Sequence, residues 1–193
     1  MARPVSFDRE QVLGRATEAF WEHGYCATSV SDLVEATRLK PGSLYAAFES
    51  KQGLFLAVLD HYAQQTLARL RHCLDDADDP LQGIERFFNG LAGDRADSRR
   101  RGCLLVNSVL EVGRIDPEVQ SRVNAHLGDI ESALRAALEQ ARADGLLARD
   151  KSPAILAKYL MTTIWGLRVL GSTGASARDA KQVITQALSI LHD

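Results

Sequence analysis

Apolar residues recur at intervals of three and four along almost the whole chain, and this spacing constrains the fold more than any other feature. In the first such stretch, Val12, Ala16 and Phe20 fall on one face of a helix that begins near Asp8 and ends at Gly24. Alternation of β-branched residues, which is typical of strands, is scarce. The pattern therefore predicts an all-α fold of about nine helices.

Capping residues and prolines mark where the helices begin. Ser29 stands three residues before Asp32, as in a capping box, and predicts a short second helix. Pro41 suits the first turn of a third helix, which is predicted to span about Pro41 to Phe48. Further helices are predicted to begin at the caps Ser50, Asp116 and Ser152. A short apolar helix is predicted from Gly102 to about Val112, and a last helix from about Ala177 to Leu191.

Composition and charge limit the function classes. The 193 residues are 46 % hydrophobic and 25 % charged, which excludes wholesale disorder, and the net charge of −2 excludes a protein that coats nucleic acid by bulk charge. No apolar run approaches the roughly 18 residues of a membrane span, and no signal peptide is apparent. The cysteines Cys26, Cys73 and Cys103 are too widely spaced for a CxxC pair. We therefore expect a cytoplasmic protein with reduced thiols and no membrane association.

The second and third helices are separated by a short turn, Thr37 to Lys40. Two short helices joined in this way and packed on a longer first helix form a helix-turn-helix. Such corners also occur in many helical cores, so the spacing alone leaves both interpretations open.

The residues of this corner are more specific. They include Gly42-Ser43-Leu44-Tyr45-x-x-Phe48-x-x-Lys51, and this segment closely resembles the DNA-binding module of TetR-family transcriptional regulators. Phe20, Gly24 and Tyr25 fit the same pattern. The resemblance extends in layout and length to the whole chain. It implies a helix-turn-helix DNA-binding domain over residues 1–52 and a helical effector-binding and dimerisation domain over residues 53–193.

The chemistry of the corner suits a DNA groove. Tyr45 can offer its hydroxyl to a phosphate and its ring to a thymine methyl, and Lys40 and Lys51 are point charges for phosphates. By the resemblance, Ser31 stands where the family often has arginine, and Ala46 and Ala47 replace bulkier residues, so few direct base contacts are expected. The alternatives are a half-buried spacer at Tyr45, plain helix caps at the serines and solvated lysines. The residues predicted to contact DNA are Thr28, Ser29, Ser31, Lys40, Pro41, Gly42, Ser43, Tyr45, Ala46 and Lys51.

Partners follow from the geometry of DNA and from the resemblance. One short helix reads only a few base pairs, so we expect a homodimer on a palindromic double-stranded operator. The last two helices, about Ser152 to Leu191, are apolar on more than one face and are the expected dimer surface, although Trp165 is equally suited to the core. The resemblance also implies a small-molecule effector, with a pocket predicted at Tyr62, Phe87, Phe88, Leu91, Cys103, Leu104, Asn107, His126, Met161 and Trp165.

Cys103 follows three arginines, Arg99 to Arg101, and stands at a predicted helix start. Both features favour a reactive thiolate, as a sensor of electrophiles or oxidants requires. The segment Gly102-Cys103-Leu104-Leu105-Val106-Asn107 also resembles that of TetR-family regulators responsive to N-ethylmaleimide. The alternative is that Gly102 and Cys103 are small packing residues without a reactive role.

Enzyme signatures are missing from the sequence. The five histidines form no HExxH pair, and the chain has no phosphate-binding glycine loop and no Cys/His ligand set. We therefore predict no catalytic residues, no cofactor and no metal. The predicted function is a dimeric, ligand-responsive DNA-binding repressor; the alternative is a helical interaction module that uses the same corner for a protein partner.

Overall fold

The computed structural model describes residues 7–94 and 100–192, and every regular element within these ranges is a helix. This confirms the predicted all-α fold. In the same ranges, no helix combines the length and the apolar character that crossing a bilayer demands. The helices are α1 (Arg9–Ala27), α2 (Val30–Thr37), α3 (Pro41–Phe48), α4 (Lys51–Asp75), α5 (Pro80–Gly93), α6 (Leu104–Ser108), α7 (Pro117–Ala143), α8 (Pro153–Ser172) and α9 (Ala177–Leu188).

Side-chain caps fix the starts of the short N-terminal helices. The Ser29 hydroxyl accepts a hydrogen bond from the Asp32 amide at 3.2 Å, and the Asp32 carboxylate accepts one from the Ser29 amide at 2.7 Å. Hydrogen bonds from the Ser29 hydroxyl and the Ser29 amide to the carboxylate lower the pKa of Asp32. Pro41 occupies the first turn of α3, which spans the predicted residues. The capping box and the bounds of α3 are thus confirmed.

Helix α1 does not end at Gly24 as the sequence suggested. Gly24 has φ 79° and ψ 170°, a conformation open only to glycine, and a helical turn resumes beyond it as far as Ala27. The glycine therefore kinks the helix instead of ending it. The amides of the residues after the kink lose their acceptors in the preceding turn.

The helix predicted from Gly102 to about Val112 is interrupted as well. Its α-helical part is α6, and one π-helical turn, Val109–Gly113, continues it. A π turn inserts one extra residue, so it rotates the side chains that follow it around the helix. Glu111 lies within this turn.

The chain forms two compact units. One comprises the residues up to Gln64 together with Leu104–His126, and the other comprises Gln65–Cys103 with Leu127–Asp193. The second unit contains an apolar cluster to which α4, α5, α7, α8 and α9 contribute. These are units of packing, and the division into functional domains at residues 52 and 53 stays a prediction.

Candidate nucleic-acid interface

Helices α2 and α3 meet through a three-residue connection, residues 38–40. Arg38 adopts the left-handed conformation, with φ 60° and ψ 21°, and this turns the chain sharply. Leu39 is 8 % exposed and anchors the connection to the protein interior, whereas Arg38 and Lys40 are exposed. The connection therefore presents two cations to solvent.

Helix α3 has one buried face and one open face. Leu44 and Phe48 are 0 % and 4 % exposed, as expected for residues four apart on a buried stripe. Tyr45 lies to one side of this stripe and is 45 % exposed. Pro41, Gly42 and Ala46 are exposed on the same helix, and Ser43 is half-buried. The open face therefore carries one large side chain among small ones.

A tight, strained joint connects α3 to α4. Glu49 has φ 66° and ψ −44°, and the Ser50 amide donates to the Phe48 carbonyl at 2.7 Å, which closes a γ-turn. The Ser50 hydroxyl then accepts from the Gly53 amide at 2.9 Å and caps α4. Since the turn contains a single central residue, α3 has little freedom to move relative to the start of α4.

Lys51, the first residue of α4, lies over an aromatic ring. Its ammonium nitrogen is 4.4 Å from the centroid of the Tyr25 ring, within cation–π range. The Tyr25 ring in turn is 4.6 Å from the Phe55 ring. Burial raises the pKa of Tyr25, with a further contribution from the Asp116 carboxylate. Tyr25 is therefore a neutral platform that holds the lysine in place.

Of the hydroxyls predicted to face DNA, Thr28 is placed differently. It is 0 % exposed, and its hydroxyl donates to the Gly24 carbonyl. The expectation that this hydroxyl contacts a phosphate does not fit the structure, because the side chain is buried and its hydroxyl already donates to a backbone carbonyl. Ser29 and Ser31 are exposed, and the Ser29 hydroxyl caps α2.

One residue that positions the helix-turn-helix escaped the sequence analysis. The Glu111 carboxylate accepts hydrogen bonds from the Tyr25 amide at 3.0 Å and from the Cys26 amide at 2.8 Å. A Cβ at Gly24 would lie 2.8 Å from Glu111 Oε2, so the glycine also makes room for the carboxylate. The available sequence signal was the glycine, which indicated a break and hence unsatisfied amides, but no local pattern identified their acceptor.

The residues predicted to line an effector pocket do not share one cavity within either unit. Phe87, Phe88, Leu91 and Met161 belong to the apolar cluster of the second unit. Leu104 and Asn107 border an open cleft of about 520 Å³ in the first unit, together with the C-terminal end of α1. Tyr62 packs edge-on against Trp21, His126 Nε2 lies 2.7 Å from Asp60 Oδ1, and Trp165 is 36 % exposed. The effector pocket stays a prediction.

Cys103 immediately precedes α6 and is 9 % exposed. Arg100 is exposed and Arg101 is half-buried, and the predicted contribution of Arg99 lies outside the described residues. The thiol is therefore shielded from bulk solvent in this conformation. Its role as a sensor stays a prediction.

The helix-turn-helix lies within a region that matches a known family. Residues 12–58 match the family described as "Bacterial regulatory proteins, tetR family", and residues 80–187 match "Tetracyclin repressor-like, C-terminal domain". The chain belongs to the TetR family. This confirms the resemblance found in the sequence, and it makes the chain a DNA-binding transcriptional regulator and not an enzyme.

Relatives of TetR type match over nearly the full chain. The HTH-type transcriptional repressor ComR of Escherichia coli K12 is 30 % identical over 190 residues, which are 97 % of this chain and 90 % of ComR. A cysteine-substituted variant of the TetR family regulator CifR, solved with a 26-base-pair operator, is 33 % identical with a TM-score of 0.86, covering 97 % of this chain and 98 % of CifR.

The reduced form of E. coli NemR shares the fold with a TM-score of 0.85 at 20 % identity, covering 95 % of this chain and 97 % of NemR. That identity supports the fold alone. The comparisons therefore establish the TetR family but do not assign the chain to an electrophile-responsive branch.

Proposed function

We propose that this protein is a homodimeric repressor that binds a palindromic operator through α3 and releases it when a small molecule binds. The observation that carries the DNA-binding part is the open face of α3, where Tyr45 is 45 % exposed above a buried Leu44–Phe48 stripe. Such an arrangement presents a reading surface on a rigid support. ComR is named a repressor, and CifR was solved on operator DNA.

The charged residues around α3 supply the affinity. Arg38 and Lys40 precede the helix and Lys51 follows it, so both of its ends are flanked by cations. Phosphate contacts of this kind set the register on the duplex, and each one releases counterions. Because the chain has a net charge of −2, we expect modest affinity for non-specific DNA and strong dependence on dimerisation.

A second copy of the chain fits the exposed apolar stripe on α8. Ile155, Tyr159 and Val169 are 65 %, 38 % and 58 % exposed, and their spacing places them on one helix face with Trp165 beside them. Val183 on α9 is 43 % exposed. Large apolar side chains in a row at the surface are typical of an interface. The proposed dimer therefore forms through the last two helices, within about Ser152 to Leu191.

Regulation in this proposal is a shift between two spacings of the paired recognition helices. Operator DNA selects one spacing, and the effector selects the other. Electrophilic modification of Cys103 is the proposed chemical form of this signal, supported by the segment from Gly102 to Asn107. Because the thiol is shielded, it would react from a locally opened conformation. The protein would act in the cytoplasm, where bacterial DNA lies.

Footprinting on the DNA upstream of the protein's own gene tests the operator proposal. We expect a protected two-fold symmetric site whose affinity falls as salt rises. Protection that is absent, or equal on unrelated DNA, would contradict it. For Cys103, a quinone added to the complex should release the operator from the wild type but not from Cys103→Ser; release from both variants would refute the sensor.

A further inference from the structure

Glu111 joins the π-helical turn after α6 to the base of the helix-turn-helix. Its two carboxylate oxygens accept from two successive amides, those of Tyr25 and Cys26, at 3.0 and 2.8 Å. These partners lie 86 and 85 residues away in sequence. We call this pair of bonds the Glu111 cap. It satisfies the amides that the Gly24 kink leaves without acceptors.

The Glu111 cap fixes a residue that supports a DNA-facing cation. Tyr25 carries the ring on which the Lys51 ammonium sits at 4.4 Å. Holding the Tyr25 amide fixes the position of its Cα, and the ring also contacts Phe20 and Phe55. The π turn, Tyr25 and Lys51 thus form one continuous chain of contacts.

The cap depends on two local irregularities of the backbone. Gly24 adopts a conformation closed to other residues and leaves space where a Cβ would meet the carboxylate. The π turn places Glu111 away from the register that an uninterrupted helix would give it. Both irregularities converge on the same pair of hydrogen bonds.

We propose that Glu111 is a positioning residue for DNA binding, which holds Tyr25 and thereby aims Lys51 at a backbone phosphate. This inference rests on the proposed function. The carboxylate acts at a distance: it touches no DNA itself, and its negative charge, taken alone, opposes DNA binding. Its removal should therefore weaken binding, whereas simple electrostatics predicts that removing a negative charge strengthens it.

A double-mutant cycle on operator affinity provides the test. The variants are Glu111→Gln, Lys51→Met and their combination, titrated by fluorescence anisotropy with the footprinted duplex. Glutamine keeps the shape but turns an amide donor toward one of the backbone amides. We expect Glu111→Gln to weaken binding roughly 3- to 10-fold in the wild-type background and less than about 2-fold when Lys51 is already methionine.

Glu118→Gln is the matched control. It removes the same charge from an exposed glutamate of the same unit, whose carboxylate accepts a hydrogen bond from the Gln52 side chain at 3.3 Å. We expect its affinity to stay within about 2-fold of the wild type. The salt dependence of binding adds a readout that a general loss of structure does not change. The slope of log affinity against log salt concentration should become shallower in Glu111→Gln, toward that of Lys51→Met, by about 0.9 for one lost phosphate contact.

The outcomes separate this inference from the proposed function. If the wild type binds no duplex specifically, the proposed function fails. If it binds and Lys51→Met weakens binding, but Glu111→Gln has no effect or the same effect in both backgrounds, only the positioning role is overturned. Should Glu111→Gln lose its cooperative melting transition, Glu111→Asp, which keeps both oxygens on a shorter stem, takes its place in the same cycle.

Discussion

Arg168 on α8 donates to the carboxylate of Asp94 at 3.0 Å, and both side chains are largely buried, with exposures of 13 % and 17 %. Asp94 follows α5, and its other oxygen accepts from Arg69 on α4 at 2.9 Å. One carboxylate therefore joins three helices of the second unit. An arginine on an apolar helix suggests an anchor for an acidic ligand, but here its partner belongs to the protein.

Asp94→Asn should destabilise the second unit, because it leaves a poorly solvated arginine without its counter-charge. We expect a loss of about 2 kcal/mol in the free energy of unfolding, measured by urea denaturation. Glu139→Gln, which breaks an exposed pair with Arg135, is the control and should cost less than about 0.5 kcal/mol. Equal costs for the two variants would contradict a structural role for Asp94.

Gly24→Ala should be among the most damaging glycine substitutions. The backbone conformation excludes a side chain, and the new Cβ displaces the Glu111 carboxylate. We expect a cost of about 2–3 kcal/mol in thermal or urea unfolding. Gly128→Ala in α7 meets no atom within 4 Å and should instead be neutral or stabilising by up to about 1 kcal/mol. A similar result for both glycines would argue against the kink as an obligatory feature.

Tyr45→Ala should separate DNA binding from stability. Because the side chain is 45 % exposed, the melting temperature should change little, while operator affinity falls roughly ten-fold. Tyr45→Phe is the matched variant, since it keeps the ring and removes only the hydroxyl proposed to bind a phosphate, so it should lose less. Unchanged affinity in both variants would favour the alternative in which this corner binds a protein.

Val169→Asp should weaken the dimer. The residue is 58 % exposed on α8, and a charge buried there by a second copy would lack a partner. Sedimentation analysis should show the dimer dissociation constant raised at least about ten-fold. Leu146→Asp, at a residue 46 % exposed outside the last two helices, is expected to leave the assembly intact. A fully dimeric Val169→Asp protein would rule out this face.

The capping box of α9 should give a defined pH dependence. Hydrogen bonds from the Ser176 hydroxyl and amide hold the pKa of Asp179 below its ordinary value of 3.8. The folded state therefore binds protons less readily than the unfolded chain, so this contribution to stability is present above that pH and is lost as the pH falls through the folded pKa.

Ser176→Ala should accordingly be less stable than the wild type near neutral pH, and the difference should shrink in acid below 3.8. Urea unfolding of both proteins across this pH range measures it. Ser132→Ala, at an exposed position within α7, should show no such convergence. A Ser176→Ala deficit that is constant with pH would contradict the linkage to Asp179.

The sequence predicted best where local chemistry decides the structure. The bounds of α3 were correct because proline opens the helix and Phe48 completes its buried stripe. The Ser29–Asp32 cap was correct because it needs only residues three apart. The exposed and buried faces of α3 followed from the same periodicity.

Long-range partners were beyond the sequence. Glu111 meets amides more than 80 residues away, and nothing in its neighbourhood indicates that a π turn will direct it there. Thr28 was expected at a phosphate because helix starts often bind anions, yet its hydroxyl donates a hydrogen bond to the carbonyl of Gly24 at the kink. In both cases a single backbone irregularity changes which polar groups are free.

The predicted pocket residues show a different limit of the sequence. Periodicity identifies which side chains are buried, so Phe87 and Phe88 were correctly placed inside a unit. Whether a buried side chain borders a cavity depends on how neighbouring helices fit, which a single pattern does not encode. Asn107 and Trp165, which were named as pocket candidates, are exposed in the structure.

The eight-residue length of α3 sets a limit on how much information the protein can read. At about 1.5 Å per residue the helix spans about 12 Å, which corresponds to roughly four base pairs of a groove. A pair of such helices distinguishes about one sequence in 65,000, whereas a bacterial genome offers on the order of 10⁶ competing sites. Base contacts from α3 alone would therefore leave about 15 matching sites in such a genome, so we expect the deformability of the DNA between the half-sites to supply the remaining discrimination.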